Sequence, residues 1–251
     1  MKTNRYSKND YSEHAQSLPA IMPKEELTMS LLRFEKKYCK RLNSQYKQLV
    51  NLYEEINSNA SISLEKRDIT KAILLRMKAY YDTQNKIKKF LNKRYLSAAS
   101  DFFVEAIAFY LKLVFDKKGI NLDVHSERQI RKKRGSIRPD ISVWNDDDVV
   151  AIIECKTQLG WNRDKWEEDF KKRESKLKEE FHNAKAFLVV MTSENWSGFP
   201  DDNKKVGEQY FTLSSIWPTN ITEDKINNFI MNPIEDLFKK IESSTTAYNS
   251  G

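Results

Sequence analysis

A mixed α/β fold carrying a helical N-terminal arm is predicted for this chain of 251 residues by three features of its sequence. Apolar and aromatic residues recur every three or four positions across residues 24–57, and again from Ile69 to Leu91, which is the period of one helix face. After residue 96 an apolar helical segment is followed by short apolar runs broken by turn-forming residues, the pattern of strands. The charge shifts at the same point: residues 1–100 hold 20 Lys and Arg against 10 Asp and Glu, residues 101–251 hold 23 against 26. The chain is thereby expected to divide into an arm, residues 1–95, and a core, residues 96–245.

The first helix lines up Leu27, Leu31, Phe34, Tyr38, Leu42, Tyr46, Leu49, Tyr53 and Ile56, and the Asn and Ser residues of 57–63 end it. The second carries Ile69, Ile73, Met77, Tyr80, Ile87 and Leu91. Together they read as an antiparallel helical hairpin, either packed on its own stripes or serving as a basic arm that grips nucleic acid or pairs two subunits. Residues 97–118 follow as an apolar helix with Gly119 as its C-cap. Residues 120–130, 137–144 and 149–156 read as strands, the last two joined by Asn145-Asp146-Asp147-Asp148, a turn by composition. Asn162 is the N-cap signal of a helix with Trp166, Phe170 and Leu177 on one side. The run from Ala186 to Met191 marks a buried strand, residues 223–241 a final helix, and the end beyond residue 243 a frayed tail.

Composition removes several classes of function. The apolar stretch from Phe102 to Phe115 is interrupted by Glu105 and Lys112 and falls short of the roughly 20 residues that span a bilayer. No apolar leader occupies residues 1–10, so a cytoplasmic protein without a membrane partner is expected. Cys39 and Cys155 stand alone, without a CxxC, which argues against a disulfide framework or a structural zinc site. His14, His125 and His182 form no HExxH, and the six glycines make neither a nucleotide-binding loop nor a GxSxG elbow.

Three polar residues interrupt the apolar hairpin of the core: Asp140, Glu154 and Lys156. Alternation along a strand puts Glu154 and Lys156 on one face, with Gln158 beyond them, and pairing of the two strands brings Asp140 close to Glu154. Two adjacent carboxylates repel each other unless a cation lies between them. Mg²⁺, a hard ion that takes oxygen ligands and keeps waters and a substrate phosphate in its shell, suits that position. Asp140 and Glu154 are then the metal ligands, and Lys156 orients water or neutralises charge on a phosphoryl group. The cations Arg128, Arg131, Lys132, Lys133, Arg134 and Arg138 precede Asp140 closely and form either a polyanion-binding cluster or a solvated loop. Gln158 and Arg163, just after the site, are further candidates for phosphate contact.

The segment Arg138-Pro139-Asp140, then thirteen residues, then Glu154-Cys155-Lys156 resembles the PD-(D/E)XK motif of the nuclease superfamily that includes many type II restriction endonucleases. The resemblance covers residues 96–192 and extends to the element order helix, three strands, helix, strand, so it implies a restriction-endonuclease-like core. It also implies that Asp140 and Glu154 hold Mg²⁺ while Lys156 assists the attacking water, and that a homodimer cuts double-stranded DNA to leave 5′-phosphates. Many members add a glutamate from the helix before the first strand; Glu105 is the matching candidate and Asp101, one turn earlier, its rival. A nuclease of recombination, repair or phage defence acting on branched DNA or RNA fits the same residues. So does a non-catalytic nucleic-acid-binding protein built on the basic hairpin.

Overall fold

The structure, a computed structural model, describes residues 24–159, 165–196, 198–200 and 203–248. The chain divides into two compact units between Asn59 and Ala60. The first is helix α1, Lys24–Ser58, whose stripe side chains Leu31, Phe34, Tyr38, Leu42 and Tyr46 are exposed.

The second unit contains α2 (Asp68–Phe90), α3 (Ser100–Lys118), β1 (Asp123–Ser126), β2 (Ile141–Asn145), β3 (Asp148–Lys156), α4 (Trp166–Glu180), β4 (Lys185–Thr192), β5 (Tyr210–Ser214) and α5 (Ile234–Tyr248). The second predicted helix thus lies in the same unit as the core, not in an arm ending at residue 95. The reason is its buried face: Ile69, Ile73, Leu74, Met77 and Tyr81 are inaccessible, and α2 packs on α3 and α5.

The five strands form one sheet in chain order, β1-β2-β3-β4-β5. The first three are antiparallel; β4 and β5 add in parallel. Asp146 and Asp147 make the tight turn between β2 and β3, with Asp146 in the left-handed region at φ 52°, a conformation that Asp tolerates through local hydrogen bonding. The parallel step from β3 to β4 needs a crossover, which α4 supplies. Phe170 and Leu177 of α4 pack with Ile152, Ala186, Leu188, Val190 and Tyr210 on one face. The alternate residues Ile153, Phe187, Val189 and Phe211 are equally buried, and α3 and α5 pack against β3. Covered on both faces, β3 is apolar almost throughout.

The structure differs from the sequence expectation in four places. The first strand is only Asp123–Ser126, and the second starts at Ile141, after Pro139, because proline has no N–H for a ladder. β5, a run of five buried residues, was not anticipated. The final helix begins at Ile234, after Pro233, and a 3₁₀ segment, Glu223–Asn228, precedes it. Gly119 does cap α3, at φ 64°.

Two helix N-termini meet in a buried network. The Ile69 and Thr70 N–H groups of α2 donate to Glu235 Oε1 at 2.8 and 3.1 Å, and the Thr70 hydroxyl donates to Oε2. In return the Ile234 N–H of α5 donates to Thr70 Oγ1 at 2.9 Å. Each side chain thereby satisfies donors that the first turn of a helix leaves without a partner. Replacing Glu235 by Ala strands three buried donors, so stability is expected to fall by about 2–4 kcal/mol and Tm by roughly 5–10 °C. Thermal denaturation followed by circular dichroism checks this, with Glu235→Gln, which keeps one acceptor, losing less.

Candidate active site

The β2–β3 register pairs Ile141 with Ile153, so Asp140 and Glu154 are the next positions along the two strands. Beyond that pair the Asp140 side chain takes over from the ladder: Oδ2 accepts the Cys155 N–H at 2.7 Å. The same oxygen lies 3.6 Å from Lys156 Nζ. Asp140 is therefore held by the backbone of the strand that carries Glu154 and Lys156, and the three predicted residues do come together.

Glu154 is 4 % exposed. Burial raises its pKa above the ordinary carboxylate value and the neighbouring Asp140 charge raises it further, while Arg173 and Lys156 oppose the shift. Arg173 Nη1 of α4 donates to Glu154 Oε1 at 2.8 Å and to the Arg138 carbonyl at 3.3 Å. This arginine was missed from the sequence, although a signal existed. Phe170, Arg173 and Leu177 follow a three-and-four spacing, which places a lone cation on the helix face that packs against the sheet.

Asp140 and Lys156 open onto a cleft of about 430 Å³ lined also by Ser100, Asp101, Val104, Ser126, Glu127, Cys155, Thr157 and Gln158. Asp101, not Glu105, stands on this wall: Glu105 is exposed but lies one turn, about 6 Å, further along α3. Glu127 was not foreseen; it closes β1 in the left-handed region at φ 51°, and its N–H donates to the Asp140 carbonyl at 3.1 Å. Tyr81 of α2 hydrogen-bonds the Thr157 side chain, and burial pushes its pKa up to about 12. The Cys155 thiol is pushed well up, by burial first and then by Asp140 and Glu154, so it stays protonated and is no thiolate nucleophile.

The basic cluster is partly committed to structure. Arg128 stacks on Trp144, 3.8 Å from the ring centre, and bonds His125 Nε2 at 2.7 Å. Arg131 stacks on Phe181 at 4.1 Å, and both Arg131 and Lys133 pair with Glu180. Lys132, Arg134 and Arg138 are exposed, as is Gln158 on the cleft wall. Arg163 and the Asn162 cap lie outside the described residues.

Among the described residues no three His, Cys, Asp or Glu side chains converge as a metal cluster. The carboxylates that line the cleft are Asp101, Glu127 and Asp140; Glu154 lies beside Asp140 but is 4 % exposed and bonded to Arg173. Carboxylate oxygens suit Mg²⁺, which binds through one or two carboxylates and completes its shell with water and substrate oxygens. No family model matches the chain, and no curated protein does. No helix among the described residues is long and apolar enough to cross a membrane.

The raised pKa of Glu154 makes the ionised form costly in the folded protein, so this group's contribution favours folding below the ordinary value of 4.5 and is lost as pH rises through the raised folded value. Glu154→Gln removes that loss. The variant is expected to melt above the parent protein at neutral pH, with the difference shrinking as the pH falls below the ordinary carboxylate value. Thermal melts across a pH series measure both.

Proposed function

We propose that the protein is a Mg²⁺-dependent endonuclease of the PD-(D/E)XK type that hydrolyses phosphodiester bonds of double-stranded DNA as a homodimer, in the manner of the type II restriction enzymes. The observation that carries this reading is the meeting of Asp140, Glu154 and Lys156 at the ends of two paired strands, where Asp140 and Lys156 border an open acidic cleft. The core order helix, three strands, helix, strand supports it.

In this reading Asp140 and Glu154 hold the ion, which when bound polarises the scissile phosphoryl group and offsets its charge. The Lys156 side chain is 49 % exposed and donates a hydrogen bond to the attacking water or to a non-bridging phosphate oxygen. The water oxygen forms a bond to phosphorus, the bond from phosphorus to the 3′ oxygen breaks, and that oxygen takes up a proton. A 5′-phosphate and a 3′-hydroxyl result. Arg173 opposes the upward shift of the Glu154 pKa and aims its carboxylate, and Asp101 supplies a further carboxylate on the wall.

Incubation with unmethylated plasmid DNA, in Mg²⁺ and in EDTA, tests the reading. Cleavage that needs Mg²⁺ is expected to fall by about a hundredfold or more in Asp140→Asn and in Lys156→Ala, while DNA binding in EDTA stays close to the parent value. Asp101→Asn is expected to impair cleavage more than Glu105→Gln. Intact DNA in every condition, with undiminished binding, would turn the reading to a non-catalytic binding protein.

A further inference from the structure

The turn between α2 and α3 carries a surface that the cleavage site does not use. From Thr83 to Ser100 the chain has no acidic residue and five cations, Lys86, Lys88, Lys89, Lys93 and Arg94. Among them sit three of the most exposed apolar side chains of the second unit: Phe90 at 73 %, Tyr95 at 66 % and Leu91 at 48 %. Single apolar residues on a surface are ordinary; two open aromatic rings within a continuous run of cations are a different pattern.

The backbone here is fixed. Lys93 N–H donates to Lys88 O at 3.0 Å and Asn92 N–H to Lys89 O at 3.4 Å, with Asn92 left-handed at φ 49°, which is a Schellman closure with asparagine in the place usually taken by glycine. The Tyr80 hydroxyl donates to the Ala98 carbonyl at 2.7 Å, and its ring stacks on Phe102 of α3 at 4.7 Å. Phe90 and Tyr95 are thus exposed on a built turn. The Arg94 guanidinium lies 5.0 Å from the centre of the Tyr95 ring.

The turn runs directly into the cleft. Ser100 and Asp101 line it, and the five residue steps from Tyr95 to Ser100 span at most about 18 Å. We propose that residues 86–95 bind a single-stranded stretch of nucleic acid continuing from the strand held in the cleft, with phosphates on Lys88, Lys89, Lys93 and Arg94 and unpaired bases stacked on Phe90 and Tyr95. Paired bases keep their faces buried in the duplex stack, whereas an unpaired base offers a π-face to any aromatic ring, and cations that track the backbone are indifferent to sequence. The inference rests on the nuclease reading for what lies in the cleft, and it adds to cleavage of double-stranded DNA a preference for sites with an unpaired segment beside the cut.

The test is fluorescence anisotropy of the full chain in EDTA, with labelled oligo-deoxythymidylate and with a blunt duplex of equal length. Phe90→Ala/Tyr95→Ala is expected to weaken oligo-deoxythymidylate binding about tenfold or more and to leave duplex binding near the parent value; Phe90→Trp/Tyr95→Phe restores it. Lys88→Ala/Lys89→Ala is expected to flatten the salt dependence of single-strand binding by about 0.7 per lost phosphate contact. Unchanged single-strand affinity in the aromatic variant overturns the inference. So does an equal loss on both probes, and so does a change of oligomeric state by light scattering, which would make the patch a protein contact. A parent protein that binds oligo-deoxythymidylate through these residues yet cleaves nothing refutes the nuclease reading and its strand in the cleft, and leaves the single-strand surface of residues 86–95 standing.

Discussion

A single hydrogen bond, from the Cys155 N–H to Asp140 Oδ2 at 2.7 Å, ends the β2–β3 ladder and sets the geometry of the cleft. Because side chains alternate along a strand, a slip of one residue in this register would turn Glu154 and Lys156 to the other face of the sheet. Asp140 guards against that slip, since its carboxylate recognises one particular N–H of β3. The tight turn at Asp146 and Asp147 fixes the other end of the same pair. Between these two anchors the apolar middle of β3 is gripped from both faces, and the polar tip is delivered to the cleft as a rigid unit.

The electrostatic cost of that delivery falls on Glu154. A carboxylate buried beside a second carboxylate is disfavoured twice, by desolvation and by repulsion. Arg173 relieves it from α4, the helix that the parallel step to β4 requires in any case. The pair is only half buried, with the Arg173 side chain 41 % exposed, and such ion pairs are weak contributors to stability, because desolvation offsets most of their attraction. Leucine at position 154 of β3 and at position 173 of α4 would hold the sheet to the helix at least as well. The charged arrangement is therefore not explained by packing alone, and the proposed nuclease reading gives it a role beside Asp140.

Much of this was readable in the sequence where periodicity and burial agree. The apolar helix with its Gly119 cap, the turn of four polar residues and the strand ending in Glu154-Cys155-Lys156 each show a local pattern that tertiary packing then reinforced. The fold was less legible where one residue overrides a pattern: Pro139 and Pro233 moved the starts of β2 and α5, although the apolar spacing ran past both. The grouping of α2 was obscured because its stripe has the same period as that of α1, and period says nothing about which surface a stripe meets. At the site, Asp140, Glu154 and Lys156 were legible as polar residues in an apolar hairpin. Glu127 was not, since only its backbone conformation at the end of a short strand brings it to the wall. Glu105 and Asp101 lie on the same face of α3, and choosing between them depends on how far the helix extends past the sheet.

Charge gives the last link between fold and site. The cleft wall carries Asp101, Glu127 and Asp140, a set that repels a phosphate chain unless cations surround it. Lys156 is one counterweight, and the connections supply others. The segment 128–138 joins Glu127 to Asp140 and carries six cations; the segment 86–94 leads to Ser100 and Asp101 and carries five. Each basic connection therefore ends on an acidic residue of the wall. Arg128 and Arg131, flat against Trp144 and Phe181, each commit one edge nitrogen, to His125 and to Glu180, and stacking leaves the remaining N–H groups in the guanidinium plane open to phosphate oxygens. Their side chains are already ordered in the folded protein, so in the proposed reading these two cations of segment 128–138 hold a phosphate at less entropic cost than a free lysine does. In the proposed nuclease reading a polyanion is drawn to the flanks first and reaches the carboxylates only where its backbone crosses the tip of β3 between the two connections.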